Sequence, residues 1–124
     1  MRYRCMTNNP LAFREVSGAE YFDESLLDLL HRVEREILGG YKLMTHPLTG
    51  SIRPDITPYK TVLLSPRAGE VDMESVDIIQ KALDYAQALT EQHSAIPWNE
   101  EEKSDFQLVD CDIIRRALER AGLL

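Results

Sequence analysis

The residues that could do chemistry are concentrated in one proline-rich stretch in the middle of the chain. Residues 45–60 combine hydroxyl groups, a histidine and basic side chains, and the candidates for direct contact with a ligand are Thr45, His46, Thr49, Ser51 and Arg53. Hydroxyl groups, a glycine-relieved backbone and a guanidinium group suit the oxygens of a phosphate or a carboxylate. His46 could also donate a hydrogen bond or move a proton near neutral pH. We therefore predict a small-anion site in this stretch.

The charge distribution points the same way. The 124-residue chain has a formal net charge of −7, which argues against general nucleic-acid binding because that needs a basic surface. From Lys42 to Arg67, however, the only acidic residue is Asp55. A locally basic segment in an acidic protein suits a small anion. Solvated surface charge explains the same residues equally well, and His46 could equally serve to hold the shape of the loop.

Several common chemistries have no signature in the sequence. It contains no glycine-rich nucleotide loop, no Gly-x-Ser-x-Gly elbow, no Cys-x-x-Cys and no Cys/His cluster at metal-ligand spacing. We therefore predict no cofactor, no metal and no catalytic residue, except His46 if the protein is an enzyme. No apolar run is long enough to span a bilayer, and the first residues lack the apolar stretch of a secretion signal. These features predict a cytoplasmic protein without membrane or nucleic-acid partners.

Apolar periodicity predicts the elements that position these residues. It predicts strands over residues 2–6, 41–44 and 61–64, a brief strand over 13–16, a helix or turn over 10–13, and helices over 24–38 and 73–93 with a third from about 104. The predicted fold is a single small α/β domain, residues 1–124, of two or three layers. Its sheet is predicted to be mostly parallel, with three or four strands and flanking helices. Residues 96–124 are predicted to be a C-terminal helical extension.

Strand order decides where the candidate residues meet. A helix that enters strand 41–44 across Gly39-Gly40 resembles the second half of a βαβ unit, so this strand is predicted to lie parallel to residues 2–6. Both strands would then end at one edge of the sheet, where ligands bind in open α/β folds. There Thr7, Asn8 and Asn9 would face Thr45 and His46. The asparagines could instead be turn residues that bond their own backbone.

The direction of strand 61–64 is left open by its sequence. If the strand is parallel to the others, Ser65 and Arg67 join the predicted cleft; if it is antiparallel, they lie at the far end. They are therefore secondary candidates, together with Tyr59 and Lys60, which precede the strand.

Three stretches of the chain resemble the GrdX family. They are Thr-Asn-Asn-Pro at residues 7–10, Gly-Tyr-Lys-Leu-Met-Thr-His-Pro-Leu-Thr-Gly-Ser-Ile-Arg-Pro at 40–54, and Thr-Pro-Tyr-Lys-Thr at 57–61. The resemblance covers roughly the first ninety residues. Members of this family are small proteins encoded beside the glycine, sarcosine and betaine reductase components of amino-acid-fermenting anaerobes. The resemblance therefore implies an accessory role in that system, with reductase subunits as partners, and carries over no catalytic residue.

The predicted function combines the anion site expected in the loops with the accessory role that the resemblance implies. It is an accessory protein that binds a phosphate, acyl phosphate or carboxylate through its 7–10 and 45–59 loops. The reductases produce acetyl phosphate, which fits an anion-binding loop by association. One alternative is a small phosphoryl- or acyl-phosphate-handling enzyme that uses His46. Another is a pure interaction module that docks through the long loop or the C-terminal helix, and self-association is compatible with either.

Overall fold

The computed structural model describes residues 2–48, 53–93 and 96–124. Within these ranges the chain forms three strands and four helices. In chain order they are β1 (Arg4–Thr7), α1 (Pro10–Glu15), β2 (Glu20–Tyr21), α2 (Leu26–Leu38), β3 (Thr61–Leu64), α3 (Met73–Gln92) and α4 (Glu100–Arg120). The α/β class and the three main helices agree with the sequence prediction. None of the helices in these ranges has the length and apolar character needed to cross a membrane.

The sheet is mixed, so the prediction of a mostly parallel sheet is wrong. Its strand order is β2-β1-β3. β1 pairs with β2 in parallel, and Thr7 lies opposite Tyr21. On its other side β1 pairs with β3 antiparallel, with Thr7 opposite Thr61 and Arg4 opposite Leu64. The open question about strand 61–64 is thereby answered: its first residue, and not its last, lies beside the end of β1.

The predicted strand at residues 41–44 contributes only an isolated antiparallel bridge between Leu43 and Leu64. Because this segment and β1 are both antiparallel to β3, they run in the same direction, as predicted, but β3 lies between them. All four residues of β3 are buried, whereas Lys42 and Met44 are exposed. A strand that is buried along its whole length suits the interior of a sheet, and a segment with alternate exposed residues suits its edge, which explains the order.

Side chains alternate along the strands and build one apolar core on each face of the sheet. Met6, Val62 and Leu64 pack against α2 and α3 in the larger core. Cys5 and Leu63, which point the other way, pack with Ile114 and Leu118 of α4 and with Val16. The domain therefore has three layers, and α4 supplies much of the third.

The main helices begin at capping residues. Ser25 caps α2 and Asp72 caps α3. α4 begins five residues before the predicted Ser104, at a capping box formed by Asn99 and Glu102. The acidic run 100–102 forms the first turn of this helix, where carboxylates are favourable because they face the positive end of the helix dipole.

The segment that connects the parallel strands β1 and β2 differs from the prediction. The helix predicted at residues 10–13 continues to Glu15, so the strand predicted at 13–16 is wrong. The parallel partner of β1 comes later, at Glu20–Tyr21. Proline at the first position of α1 is compatible with helix because its missing N–H would have no partner there, and Asn9 caps the helix.

Candidate functional site

The asparagine turn that follows β1 is buried. Asn9 has no exposed surface, and its Oδ1 accepts a hydrogen bond from the N–H of Leu11, which begins α1. Its Nδ2 donates to the carbonyl of Gln107 at 3.0 Å and to Oδ2 of Asp110 at 2.9 Å. Asn9 therefore joins the end of β1 to the middle of α4. These contacts favour the structural role that the sequence left open for it.

Asn8 fastens the segment that leads into β3. Its Nδ2 donates to the carbonyls of Glu24 and Pro58, both at 2.9 Å. Its Oδ1 accepts from the N–H of Lys60 at 2.8 Å, and its own N–H donates to the carbonyl of Lys60. One side chain thus fixes the position of the backbone at Lys60.

The hydroxyl groups of Thr7 and Thr61 connect the two strands at this end of the sheet. Their Oγ1 atoms are 2.8 Å apart. The Thr61 hydroxyl donates to Oδ2 of Asp110 at 2.7 Å, and the Thr7 hydroxyl can donate to the carbonyl of Lys60 at 3.2 Å. A buried carboxylate is retained in a protein interior when hydrogen bonds replace the water that it has lost. Asp110 meets that requirement here.

Sequence reasoning missed Asp110. It is only 5% exposed, although it lies in a helix whose neighbouring Asp112 is exposed. The spacing does contain a signal: Asp110 is four residues after Phe106 and four before Ile114, so it falls on the apolar stripe of α4. A charged residue on such a stripe needs a polar partner, and Asn9 and Thr61 supply it.

Lys60 is, after Asp110, the second buried charged residue near the end of β1. It is 7% exposed. Burial lowers the pKa of its ammonium group, while the nearby charge of Asp110 opposes that shift. Lys60 and Asp110 both border a small pocket of about 20 Å³ that Tyr59 also lines, which is space for about one water molecule.

A larger cleft lies beside β3. It has a volume of about 390 Å³ and lies between residues 44–46 and the C-terminal half of α4. Its polar lining consists of Thr45, His46, Lys60, Thr61 and Arg120, and its apolar lining includes Leu63, Ile113, Ile114 and Ala117. None of the described residues that line this cleft is Asp or Glu, although the whole chain carries a net charge of −7.

Local hydrogen bonds orient the first wall of the cleft. The Thr45 hydroxyl accepts from the N–H of Leu63 at 3.0 Å, so it holds the segment against β3. His46 Nδ1 accepts from the N–H of Leu48 at 3.1 Å. A neutral imidazole that accepts at Nδ1 carries its proton on Nε2. His46 can therefore act as a donor through Nε2.

The two predicted halves of the site meet only indirectly. Thr7 lies opposite Thr61 in the sheet register, and Thr61 lines the same cleft as Thr45 and His46. The start of β3 is thus the link between them. Thr7, Asn8 and Asn9 are themselves absent from the described lining of the cleft, where Lys60 and Arg120 stand instead.

The remaining predicted residues lie apart from this cleft. The Arg53 guanidinium group forms a bidentate pair with Asp55, with contacts of 3.1 and 2.7 Å. That hydrogen-bonded pair raises the pKa of Arg53 and lowers the pKa of Asp55. Thr49 and Ser51 lie outside the described residues.

The secondary candidates divide between the two ends of β3. Ser65 follows the far end of this strand, where its Oγ accepts from the N–H of Lys42 and donates to the carbonyl of Arg67. Tyr59 lies at the near end and its hydroxyl accepts from Gln107 Nε2 at 3.1 Å. Because β3 is antiparallel to β1, Ser65 and Arg67 follow the end of β3 that is farther from Thr7. They are not among the described residues that line the cleft, whereas Lys60 is.

Metal ligands are absent from the part of the chain that the structure describes: no group of three His, Cys, Asp or Glu residues there is arranged to hold an ion. Cys5 and Cys111 are both buried thiols.

The family model described as GrdX-like protein matches residues 4–119. The match extends through α4, beyond the stretches that carry the resemblance in the sequence. No curated protein and no solved structure is significantly similar to the chain.

Proposed function

The chain belongs to the GrdX-like family, which is associated with glycine reductase genes, and on that premise we propose that it is an accessory protein of glycine, sarcosine or betaine reductase that binds a small anionic metabolite. The metabolite is a phosphate, an acyl phosphate or a carboxylate. Reductase subunits are the proposed partners, and association between copies of the chain stays a prediction.

The single observation that carries the anion proposal is the charge of the cleft. Its described lining brings Lys60, His46 and Arg120 together without a carboxylate. Apolar walls strengthen the attraction between such groups and an anion because they lower the local dielectric constant. A volume of about 390 Å³ is within the range of ligand pockets, and a small anion would occupy only part of the cleft.

The proposed binding residues differ in part from those predicted from the sequence. Thr45 and His46 keep their predicted place, and Lys60 rises from a secondary to a primary candidate. Arg120, which the sequence did not suggest, replaces Arg53, whose guanidinium group is paired with Asp55. Thr7, Asn8 and Asn9 have a positioning role because they fix the start of β3.

A thermal-shift experiment tests this proposal on the full chain. Phosphate, acetyl phosphate and glycine are each added at millimolar concentration. A ligand present at about 100 times its Kd stabilises the folded state by about 2.7 kcal/mol, which raises the Tm of a domain of this size by several degrees. If none of the three raises the Tm, the anion proposal is wrong.

Two matched variants locate the site. Arg120→Gln removes a cation at the cleft and should abolish most of the Tm shift. Arg67→Gln removes an exposed cation at the opposite end of β3 and should leave the shift unchanged. Equal loss in both variants would indicate nonspecific attraction of anions to the surface.

An enzyme remains the second candidate because the geometry of His46 favours it. The bond from the Leu48 N–H to Nδ1 orients the imidazole at the wall of the cleft, where a histidine can act as a general acid or base. We expect hydrolysis of acetyl phosphate that is lost in His46→Gln. Hydrolysis at the uncatalysed rate in the wild-type protein would exclude this candidate.

A further inference from the structure

The position of Lys60 permits covalent chemistry in addition to anion binding. Lys60 borders both the small pocket and the larger cleft. Other lysines are more exposed to solvent: Lys42 is exposed, and the Lys103 side chain is 40% exposed. Lys60 is the buried lysine among the described residues.

Burial makes the neutral amine of Lys60 easier to form than that of an exposed lysine, because it disfavours the ammonium form and lowers the pKa of Lys60. An amine activated by desolvation is the usual nucleophile in enzymes that form Schiff bases with carbonyl compounds. The charge of Asp110 on α4 opposes this shift, and the Asp110 side chain is itself hydrogen-bonded to Asn9 and Thr61.

The rest of the cleft restricts the class of carbonyl compound. Arg120 and His46 line it together with Lys60, and a guanidinium group matches a carboxylate by two parallel hydrogen bonds. A molecule that carries a carboxylate beside a carbonyl group would place the first on these side chains and the second near the amine. Small 2-oxo acids have this form and fit the volume of the cleft.

We propose that Lys60 forms a reversible Schiff base with a small 2-oxo acid whose carboxylate is held by Arg120 and His46. This inference rests on the proposed function and narrows its ligand to one class. The neutral Nζ attacks the carbonyl carbon and a C–N bond forms. The carbonyl oxygen then takes up two protons and leaves as water, so that the amine and the oxo acid become an imine and one water without an oxidant or a reductant. The reaction reverses when water adds to the imine.

Reductive trapping tests this proposal on the full-length protein. The protein is incubated with pyruvate and cyanoborohydride at neutral pH, and the modified residue is identified by peptide mass spectrometry. We expect adduct formation at Lys60 to be at least tenfold faster than at Lys42, Lys81 or Lys103 in the same sample. This internal comparison needs no variant. If Lys60 reacts no faster than the exposed lysines, the proposal is wrong.

Single substitutions test the roles of Lys60 and Arg120. Lys60→Arg keeps a positive charge but forms no imine, so the fast-labelled position should disappear. Arg120→Gln should slow labelling of Lys60 severalfold, and Arg67→Gln should not. Unchanged labelling in Arg120→Gln would overturn the role of Arg120 as the group that holds the carboxylate.

Trapping and the thermal-shift assay separate the two proposals. A Tm shift with phosphate but no Lys60 adduct overturns the Schiff base and leaves the anion site supported. An adduct at Lys60 without a Tm shift from phosphate, acetyl phosphate or glycine supports the Schiff base and contradicts binding of those three compounds, so that the carboxylate of a 2-oxo acid is left as the anion that the cleft binds. Loss of both overturns both.

Discussion

Asp110→Ala should be among the most destabilising single substitutions in this chain. The carboxylate is 5% exposed and accepts hydrogen bonds from Asn9 Nδ2 at 2.9 Å and from the Thr61 hydroxyl at 2.7 Å. Alanine removes the one oxygen, Oδ2, that accepts both bonds, and also the negative charge that opposes the lowering of the Lys60 pKa by burial. Three buried polar groups therefore lose a partner in one step.

The magnitude follows from these contacts. A hydrogen bond to a charged group contributes about 1.5–3 kcal/mol, so two such bonds give at most about 6 kcal/mol. Part of this is recovered because Asn9 keeps its bond to Gln107 and Thr61 can donate to Thr7, whose hydroxyl oxygen is 2.8 Å away. We expect a loss of about 3–5 kcal/mol, the range found when one partner of a buried charged pair is removed. Domains of this kind have unfolding free energies of about 5–15 kcal/mol.

Urea denaturation measures this loss directly, from the shift of the midpoint at constant slope. The matched control is Asp112→Ala, two residues along the same helix, because the Asp112 side chain is 61% exposed and pairs with Arg116. An exposed pair of that kind contributes about 0.3–0.5 kcal/mol. If Asp110→Ala costs less than about 1 kcal/mol, or no more than the control, the buried network does not stabilise the protein as described.

The effect of Lys60 is tested by a double-mutant cycle. Lys60→Met keeps most of the aliphatic chain and removes the charge. If the carboxylate of Asp110 stabilises the buried ammonium group, Asp110→Ala should cost less in the Lys60→Met background than in the wild type. Equal costs in both backgrounds would show that the two residues act independently.

Two further predictions concern stability. Gly40→Ala should cost more than about 1 kcal/mol, because Gly40 has φ +107° and an added Cβ would clash with the carbonyl oxygen of Gly69. Gly69→Ala, where nothing lies within 4 Å, should change the urea midpoint little, and equal effects would refute this account. Burial raises the pKa of the Cys5 thiol from 9.0 to about 12, so this group contributes stability that is complete below pH 9.0 and is lost as the pH rises toward 12, by about 1.4 kcal/mol per pH unit. Cys5→Ala should flatten the alkaline decline of the unfolding free energy, and an unchanged slope would contradict the assignment.

The helices could be predicted from the sequence because the patterns that indicate them are local. Leu30, Val33 and Ile37 repeat at helical spacing and are all buried in α2. The start of α4 was misplaced because two capping patterns lie five residues apart, at Asn99 and Ser104. Only the first puts the acidic residues 100–102 in the first turn, where the helix dipole favours them.

The sheet could not be derived in the same way because pairing is not a local property. The sequence around Gly39-Gly40 indicates that a helix enters residue 41, but it does not say which strand lies beside that segment. Burial decides this: β3 is apolar on both faces and occupies the interior position, and the segment containing exposed Lys42 lies outside it. The mixed topology then carries Arg67 to one end of the sheet and Lys60 to the other.

Two of the stretches that resemble the family meet in the structure, although not as two faces of a cleft. Asn8 Oδ1 accepts from the Lys60 N–H, and the Asn8 N–H donates to the Lys60 carbonyl. The asparagine turn thus acts on the backbone of Lys60 and reaches the cleft only through it. If this positioning matters for function, Asn8→Ala should slow reductive trapping at Lys60 even though Asn8 is not among the described residues that line the cleft. An Asn8→Ala protein that remains folded and is trapped at the wild-type rate would show that the turn serves stability alone.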